Sequence, residues 1–193
     1  MMAQTLSPRE ALTVARIVRV NHAGEYGAIR IYSAQIAVTR RRYPDIAPAL
    51  ADMLEHEKRH CALFSGAMPA RHSRPCRVMS LWSWGGSLLG FTTALMGRQA
   101  IWVCTAAVEA AVHRHLDDQL HFLQGRDGEL RDIILSIRAE ELAHLRYAQE
   151  RLVAQSPLLH GLITFATDAV IWLSTWGDST RMANDLRRFR NST

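Results

Sequence analysis

Two short repeats, Glu57-Lys58-Arg59-His60 and Glu141-Leu142-Ala143-His144, restrict the fold more than any other part of this sequence. Residues three apart on a helix share a face, about 5 to 6 Å apart at Cβ, so each Glu-x-x-His aims a carboxylate and an imidazole at one point. With nine glutamates and nine histidines, roughly 0.4 such matches are expected by chance, so a pair carries weight that one would not. Glu25 precedes Glu57 by 32 residues, and Glu109 precedes Glu141 by 32. The midpoints fall on turn chemistry: Arg41, just before Tyr43-Pro44-Asp45, and Gly125, within Gln124-Gly125-Arg126-Asp127-Gly128. Helical hairpins folded there bring the paired glutamates to one height, about 24 Å from each turn. Side by side, two hairpins gather Glu25, Glu57, His60, Glu109, Glu141 and His144, the pattern of a metal site.

The apolar periodicity puts these residues inside. The seams read Val18, His22, Glu25, Ile29, Tyr32, Ile36; then Leu50, Met53, Glu57, His60, Phe64; then Leu95, Arg98, Trp102, Thr105, Glu109, Val112, Leu116; then Leu130, Ile134, Ile137, Glu141, His144, Ala148. All advance in steps of three and four, the spacing of core positions. Buried carboxylates without partners are very costly. The alternative, a set of buried salt bridges, has only Arg98 as a seam cation.

Ser7-Pro8-Arg9-Glu10 reads as a capping box that starts helix 1, which runs to about Arg41. Gly24 and Gly27 flank Glu25 and Tyr26 at a cost of about 1 kcal/mol each relative to Ala, so something there needs a bare backbone, a ligand or a tightly packed helix. His22 reads as a core histidine or a group behind the site. Helix 2 spans roughly 46–67, and 68–85 reads as a crossover of the kind that joins hairpins in ferritin-like bundles. The uncharged stretch from Ser80 to Gly97 reads as an approach segment into helix 3, which runs on to Gln124, and helix 4 covers about 127–154. Ser156-Pro157 restarts a helix whose apolar run to Trp176 is interrupted by His160 and Asp168. That segment, Trp82, Trp84 and Phe91 before it, and the Arg187-Arg188-Arg190 tail suit a surface lying in an anionic membrane without crossing it. Phe165 and Trp172 are the expected contacts in the last segment.

The expected architecture is therefore all-α: one domain over 1–193, with a first hairpin at 7–67, the crossover at 68–85, a second hairpin at 86–154 and C-terminal membrane-facing helices at 156–190. Cys61, Cys76 and Cys104 form no CxxC and no even framework, which points to a reducing compartment and away from a zinc ribbon. The net charge of +5 is almost all arginine, since Lys58 is the only lysine, and no aromatic-interleaved basic motif accompanies it, so no nucleic acid is expected as a partner. Met1–Thr5 carries neither a signal-peptide apolar run nor an Arg-rich transit segment. The expectation is a bacterial-type peripheral protein on the cytoplasmic face of the cell membrane.

Val20-Asn21-His22-Ala23-Gly24-Glu25-Tyr26-Gly27-Ala28 with Arg30-Ile31-Tyr32, then Glu57-x-x-His60, Ala107-Val108-Glu109 and Glu140-Glu141-Leu142-x-His144, resembles the demethoxyubiquinone hydroxylases. These are ferritin-like di-iron enzymes. The resemblance implies a membrane-associated monooxygenase that uses O2 to hydroxylate the ring of a polyprenyl quinone precursor. It further implies two irons per chain bound by Glu25, Glu57, His60, Glu109, Glu141 and His144, with Glu57 and Glu141 bridging them at the catalytic centre. Glu140, His115 and Tyr26 become candidates for the layer behind the ligands. The chain has no Gly-x-Gly-x-x-Gly fingerprint and no Cys cluster to deliver electrons, and the resemblance implies NADH as their source. A lipid-presenting partner protein and a homo-oligomer are further expectations. The ligand set is chemically coherent by itself: four carboxylates and two neutral imidazoles offset two Fe(II) ions in a dry core, and oxygen-rich ligation suits iron or manganese.

The chain departs from that pattern in places. Leu116 stands where many relatives have tyrosine, Ala139 where they have aspartate, and His56 where glutamine is more usual; 69–84 matches poorly. His56-Glu57-Lys58-Arg59-His60 also matches the zinc-peptidase pattern H-E-x-x-H, in which both histidines bind one metal. A ferritin-like iron oxidase, a tRNA hydroxylase and a non-enzymatic membrane adaptor are the other rivals.

Overall fold

Ser7 starts the first helix with a closed capping box: Glu10 N–H donates to its hydroxyl at 3.3 Å, and Ser7 N–H donates to the Glu10 carboxylate at 3.0 Å. The computed structural model describes residues 6–154 and 156–192, so Met1–Thr5, read above for targeting signals, lies outside the described residues. Among those described, every regular element is helical: α1 (Pro8–Arg42), α2 (Ala47–Ala67), a 3-10 turn (Pro69–Arg71), α3 (Met79–Met96), α4 (Arg98–Leu123), α5 (Gly128–Gln149), α6 (Pro157–Thr175) and α7 (Asp178–Ser192).

Helices α1, α2, α4 and α5 form a ferritin-like bundle of two hairpins. The chain folds back at Tyr43–Ile46 and again at Gln124–Asp127, on the turn chemistry expected from the 32-residue spacing. Asp127 caps α5 by accepting from Leu130 N–H at 3.0 Å and binds Arg71 of the crossover through two contacts of 2.7 Å, which ties one hairpin to the other. Two apolar clusters fill the bundle. One, around Ile17, Phe64, Leu123 and Ile134, closes the end nearer the α4–α5 turn. The other, around Leu50, Met53, Ile101 and Trp102, closes the opposite end. The six candidate ligands lie in the belt between them, and all six are buried.

The expected boundary of crossover and second hairpin at 85/86 falls in the middle of α3. Met79–Met96 is a separate helix, and Gly97 at φ 116° turns the chain into α4, a conformation that disfavours any residue with a side chain. The physical reason is helix-to-helix contact. A Cβ at Gly86 would lie 2.6 Å from Gly27 O, and one at Gly90 2.3 Å from Ile31 O, so α3 lies against the α1 backbone over a full turn. Trp82, expected as a membrane contact, is half-buried with its indole over Gly27. Tight helix packing thus accounts for Gly27, whereas Gly24 has open space above it and lines a cavity described below. Arg98, the supposed seam cation, begins α4 at the surface and pairs with Asp45.

Helices α6 and α7 complete the chain. Ile163 of α6 joins Ile31, Cys104 and Ala107, with Leu89 of α3 alongside, so α3 and α6 both cover the α1–α4 side of the bundle. At the head of α7, buried Asp178 accepts from Arg9, from Arg16 at 2.8 Å and from Thr13 at 3.3 Å, and so fastens the C-terminal helices to α1. The α3 contact makes opposite demands on neighbouring glycines. Gly90→Ala should destabilise the protein by about 1–3 kcal/mol through forced separation of α3 from α1, while Gly85→Ala, with open space at its Cβ, should be neutral or stabilising by up to about 1 kcal/mol. Urea unfolding of the two variants measures the difference.

Candidate metal centre

Each helix of the bundle brings its ligands to the belt from a core position of the seven-residue pattern, and the result is two interlocking quartets. Glu25, Glu57, His60 and Glu141 offer one ligand atom each within 4.8 Å of one another, and so do Glu57, Glu109, Glu141 and His144. Glu57 and Glu141 belong to both. Glu141 Oε1 lies 3.0 Å from His60 Nδ1 and its Oε2 3.6 Å from His144 Nδ1. Glu57 divides its oxygens the same way, Oε2 at 3.8 Å from His60 Nδ1 and Oε1 at 3.3 Å from His144 Nδ1. Glu25 adds an oxygen 3.7 Å from His60, and Glu109 one 3.7 Å from His144.

Several of these buried atoms, besides His60 Nε2 on the outer side of its ring, have no hydrogen-bond partner among the described residues: Glu57 Oε1, Glu141 Oε1, His60 Nδ1 and His144 Nδ1. Orphaned polar atoms in a core cost about 1–3 kcal/mol each, more for charged groups, and here all four face a common centre. That donor set fits a pair of divalent cations.

Without cations the cluster neutralises itself with protons. Burial pushes Glu25 well above the usual carboxylate range, and burial with the Glu141 charge beside it pushes Glu109 up to about 8. Burial works upward on Glu57 and Glu141 too, but hydrogen bonding with His144 and His60, preceded for Glu141 by its hydrogen bond with Glu109, more than offsets it and holds both below the usual range. Burial disfavours the histidine cations, yet the surrounding carboxylates prevail: His60 is raised, and His144 is raised to about 12. Two neutral carboxyls, two carboxylates and two imidazolium ions sum to zero.

Residues around the belt orient it. Tyr32 O–H donates to Glu109 Oε1 at 2.7 Å. It sits two turns after Glu25 on the same seam, so the apolar register contained the signal. Tyr26, the tyrosine singled out from the motif, follows Glu25 by one residue and turns about 100° away around the helix, and no hydrogen bond links it to a ligand candidate among the described residues. Glu140 stands 3.4 Å from His60 Nε2, on the side of the ring away from the carboxylates. His56 does not converge with His60 on one point, as a zinc-peptidase site requires; its Nδ1 lies 2.9 Å from the outer Nε2 of His144. Among the described residues no hydrogen bond or ion pair links His115 to a ligand candidate; it meets Asp168 of α6 at 3.0 Å.

An apolar cavity of about 50 Å³ adjoins the belt, lined by Glu25, Glu57, Glu109 and Glu141 together with Val20, Val108, Val112, Leu116 and Ile171. Asn21 and Gln119 line it and satisfy each other through paired amide bonds of 2.7 and 2.9 Å. His115 lies between this cavity and an outer pocket formed by Phe165, Asp168, Trp172 and Arg187.

The family model described as "Ubiquinone biosynthesis protein COQ7" matches residues 12–174, which contain all six candidate ligands. The chain belongs to this family. Its COQ7-family relatives include the "NADPH-dependent 3-demethoxyubiquinone 3-hydroxylase, mitochondrial" of Rattus norvegicus, 38% identical over 88% of this chain and 81% of the relative. The "3-demethoxyubiquinol 3-hydroxylase" of Rhodospirillum rubrum is 38% identical over 86% and 80%, and the Dictyostelium discoideum protein, named as in the rat, is 36% identical over 84% and 76%.

The proton balance of this COQ7-family site has a measurable sign. Unfolded Glu109 releases its proton near 4.5 and folded Glu109 near 8, so the stability that Glu109 contributes is present below about pH 4.5 and lost as pH rises toward 8. Between pH 6 and 8 the metal-free protein should lose stability, and Glu109→Gln, which keeps a neutral side chain at all pH values, should lose less. Urea midpoints of chelator-treated protein at the two pH values check this.

Proposed function

We propose that this protein hydroxylates the ring of a polyprenyl demethoxyquinone in ubiquinone biosynthesis, at two irons held by Glu25, Glu57, His60, Glu109, Glu141 and His144. The family and its relatives make it a monooxygenase of that pathway. The observation that carries the di-iron reading is the sharing of Glu57 and Glu141 between two buried quartets. Oxygen-rich ligation with two imidazoles suits iron, and four carboxylates against two divalent ions leave a neutral core. When bound, the irons supply the reduction of dioxygen and the insertion of one of its atoms into the ring, a reaction that takes two electrons from outside.

The chain's own residues do the rest. Val20, Val108, Val112, Leu116 and Ile171 exclude water and shape the approach for a flat, apolar ring. Tyr32 fixes the Glu109 carboxylate by its hydrogen bond. Asn21 and Gln119 present polar edges already held in position. For the electrons, the family resemblance implied NADH, while the names of the rat and Dictyostelium relatives specify NADPH; a reduced nicotinamide is the source we propose.

The lipid tail calls for a route from a bilayer. Leu81, Trp84, Leu88 and Phe91 of α3 and Leu158, Leu162, Phe165 and Trp172 of α6 are exposed, with Trp84 at 78% and Phe165 at 71%. Helix α6 has the length and apolarity to cross a membrane; packed along α4 at its Ile163 face, it reads instead as lying in the surface of one. We assign the protein to the cytoplasmic membrane face, peripherally bound, and the same apolar face would receive a lipid-presenting partner or a second copy of the chain.

Iron-loaded protein given a demethoxyquinone, a reduced nicotinamide and oxygen should produce a quinone heavier by one oxygen atom by mass spectrometry. Glu57→Ala and Glu141→Ala should each abolish that product and fall below two irons per chain; full iron content in both variants would sink the assignment. For the membrane, Trp84→Glu with Phe165→Glu should release the protein from anionic liposomes in sedimentation, with unchanged helical content by circular dichroism.

A further inference from the structure

The residue before each shared glutamate reaches the outer side of the histidine on the opposite helix. Glu140, before Glu141 on α5, places Oε2 3.4 Å from His60 Nε2 on α2. His56, before Glu57 on α2, places Nδ1 2.9 Å from His144 Nε2 on α5, with the two rings stacked at 5.1 Å and 19°. The arrangement is a two-fold pattern with unlike members, a carboxylate behind one ligand and an imidazole behind the other.

We propose that His56 is a positioning residue for His144, and that the unlike pair His56 and Glu140 makes the two metal positions inequivalent, the one at His60 binding more tightly than the one at His144. The inference rests on the di-iron reading above. A histidine that coordinates through Nδ1 carries its hydrogen on Nε2 and needs an acceptor there, and that acceptor fixes the ring orientation. Both ligand candidates turn Nδ1 toward the carboxylates and leave Nε2 facing outward; that of His144 is met by His56 at hydrogen-bond distance, whereas that of His60 has no hydrogen-bond partner among the described residues and has the Glu140 carboxylate as an ion-pair contact at 3.4 Å, close enough to become its acceptor. A carboxylate acceptor makes an imidazole a stronger donor to the metal than a neutral ring nitrogen does.

Packing does not account for His56. Its side chain is 35% exposed, and its ring meets His144 edge-aligned through nitrogen as well as stacked. Glu140 is anchored independently, since Arg59 donates to its Oε2 at 2.9 Å, and the same oxygen lies 3.4 Å from His56 Nδ1. One carboxylate oxygen therefore stands beside His60 Nε2 and beside His56, the outer partner of His144.

The test is anaerobic Fe(II) titration of the full chain against a competing chelator, resolving two stepwise dissociation constants, with Mössbauer spectra of the loaded protein. Wild type should give two separated constants. His56→Leu should weaken the weaker step about tenfold to a hundredfold and leave the tighter one nearly unchanged, shifting only one ferrous signal. His56→Gln, whose amide oxygen accepts the same hydrogen bond, should restore it, and Glu140→Leu should weaken the tighter step instead. Equal weakening of both steps by His56→Leu, or no weakening, overturns the proposal. So does a metal-free melting temperature that falls in His56→Leu with no recovery in His56→Gln, which would assign His56 to packing. A wild type that cannot hold two irons defeats the di-iron reading itself, whereas two irons held equally well by wild type and His56→Leu defeats only this inference.

Discussion

Four carboxylates in a dry helical core must be met by an equal positive charge, and nearly everything else in this structure follows from that requirement. Taking even one carboxylate out of water costs several kcal/mol unless something compensates. The obvious protein cation, Arg98, is at the surface with Asp45, which leaves protons or metal ions to balance the belt. Protons do so by neutralising Glu25 and Glu109 and charging His60 and His144. Two divalent ions with neutral imidazoles reach the same zero. On the di-iron reading proposed above, the site would exchange one balanced state for the other, which would allow it to fold before metals bind.

The scaffold supports the belt from both ends. Placing the ligands midway along the hairpins leaves an intact apolar cluster above and below, so the polar layer interrupts the core without dividing the bundle into separable halves. Tight backbone contact at Gly86 and Gly90 keeps α3 against α1, and buried Asp178 holds α7 to the same helix. Helix α1, which carries Glu25, is therefore fastened at several heights.

The bundle and its ligands were legible because both follow from periodicity. A 32-residue spacing and a three-four seam are properties of one-dimensional sequence, and the hairpin turns at Tyr43 and Gly125 agreed with them. What was illegible depended on contacts between distant segments. The glycines of α3 look like interruptions of an apolar run until the Ile31 backbone is seen against them, so Met79–Met96 read as an approach to the next helix rather than a helix of its own. Trp82 read as a membrane residue because its partner, Gly27, lies 55 positions earlier. His56 stayed ambiguous for a subtler reason. Its spacing to His60 is right for a shared metal, and only the side-by-side placement of α2 and α5 reveals that it serves His144 from behind.

The two sides of the belt have opposite character, and this polarity gives the site a direction. Toward α1 and α4 lie an apolar cavity and, covering that side of the bundle, two helices whose exposed leucines, phenylalanines and tryptophans would be an aggregation hazard in water alone. Toward α2 and α5 lie His56, Glu140 and Arg59, all partly exposed and bonded to one another or to the ligating histidines. An apolar ring has its favourable approach on the first side and water on the second. A water-accessible polar side is also where protons can be exchanged without crossing the substrate's path. For the reaction proposed above, the bundle would thus keep lipid and water on separate faces of one buried charge cluster, as chemistry between an insoluble ring and a soluble reductant requires.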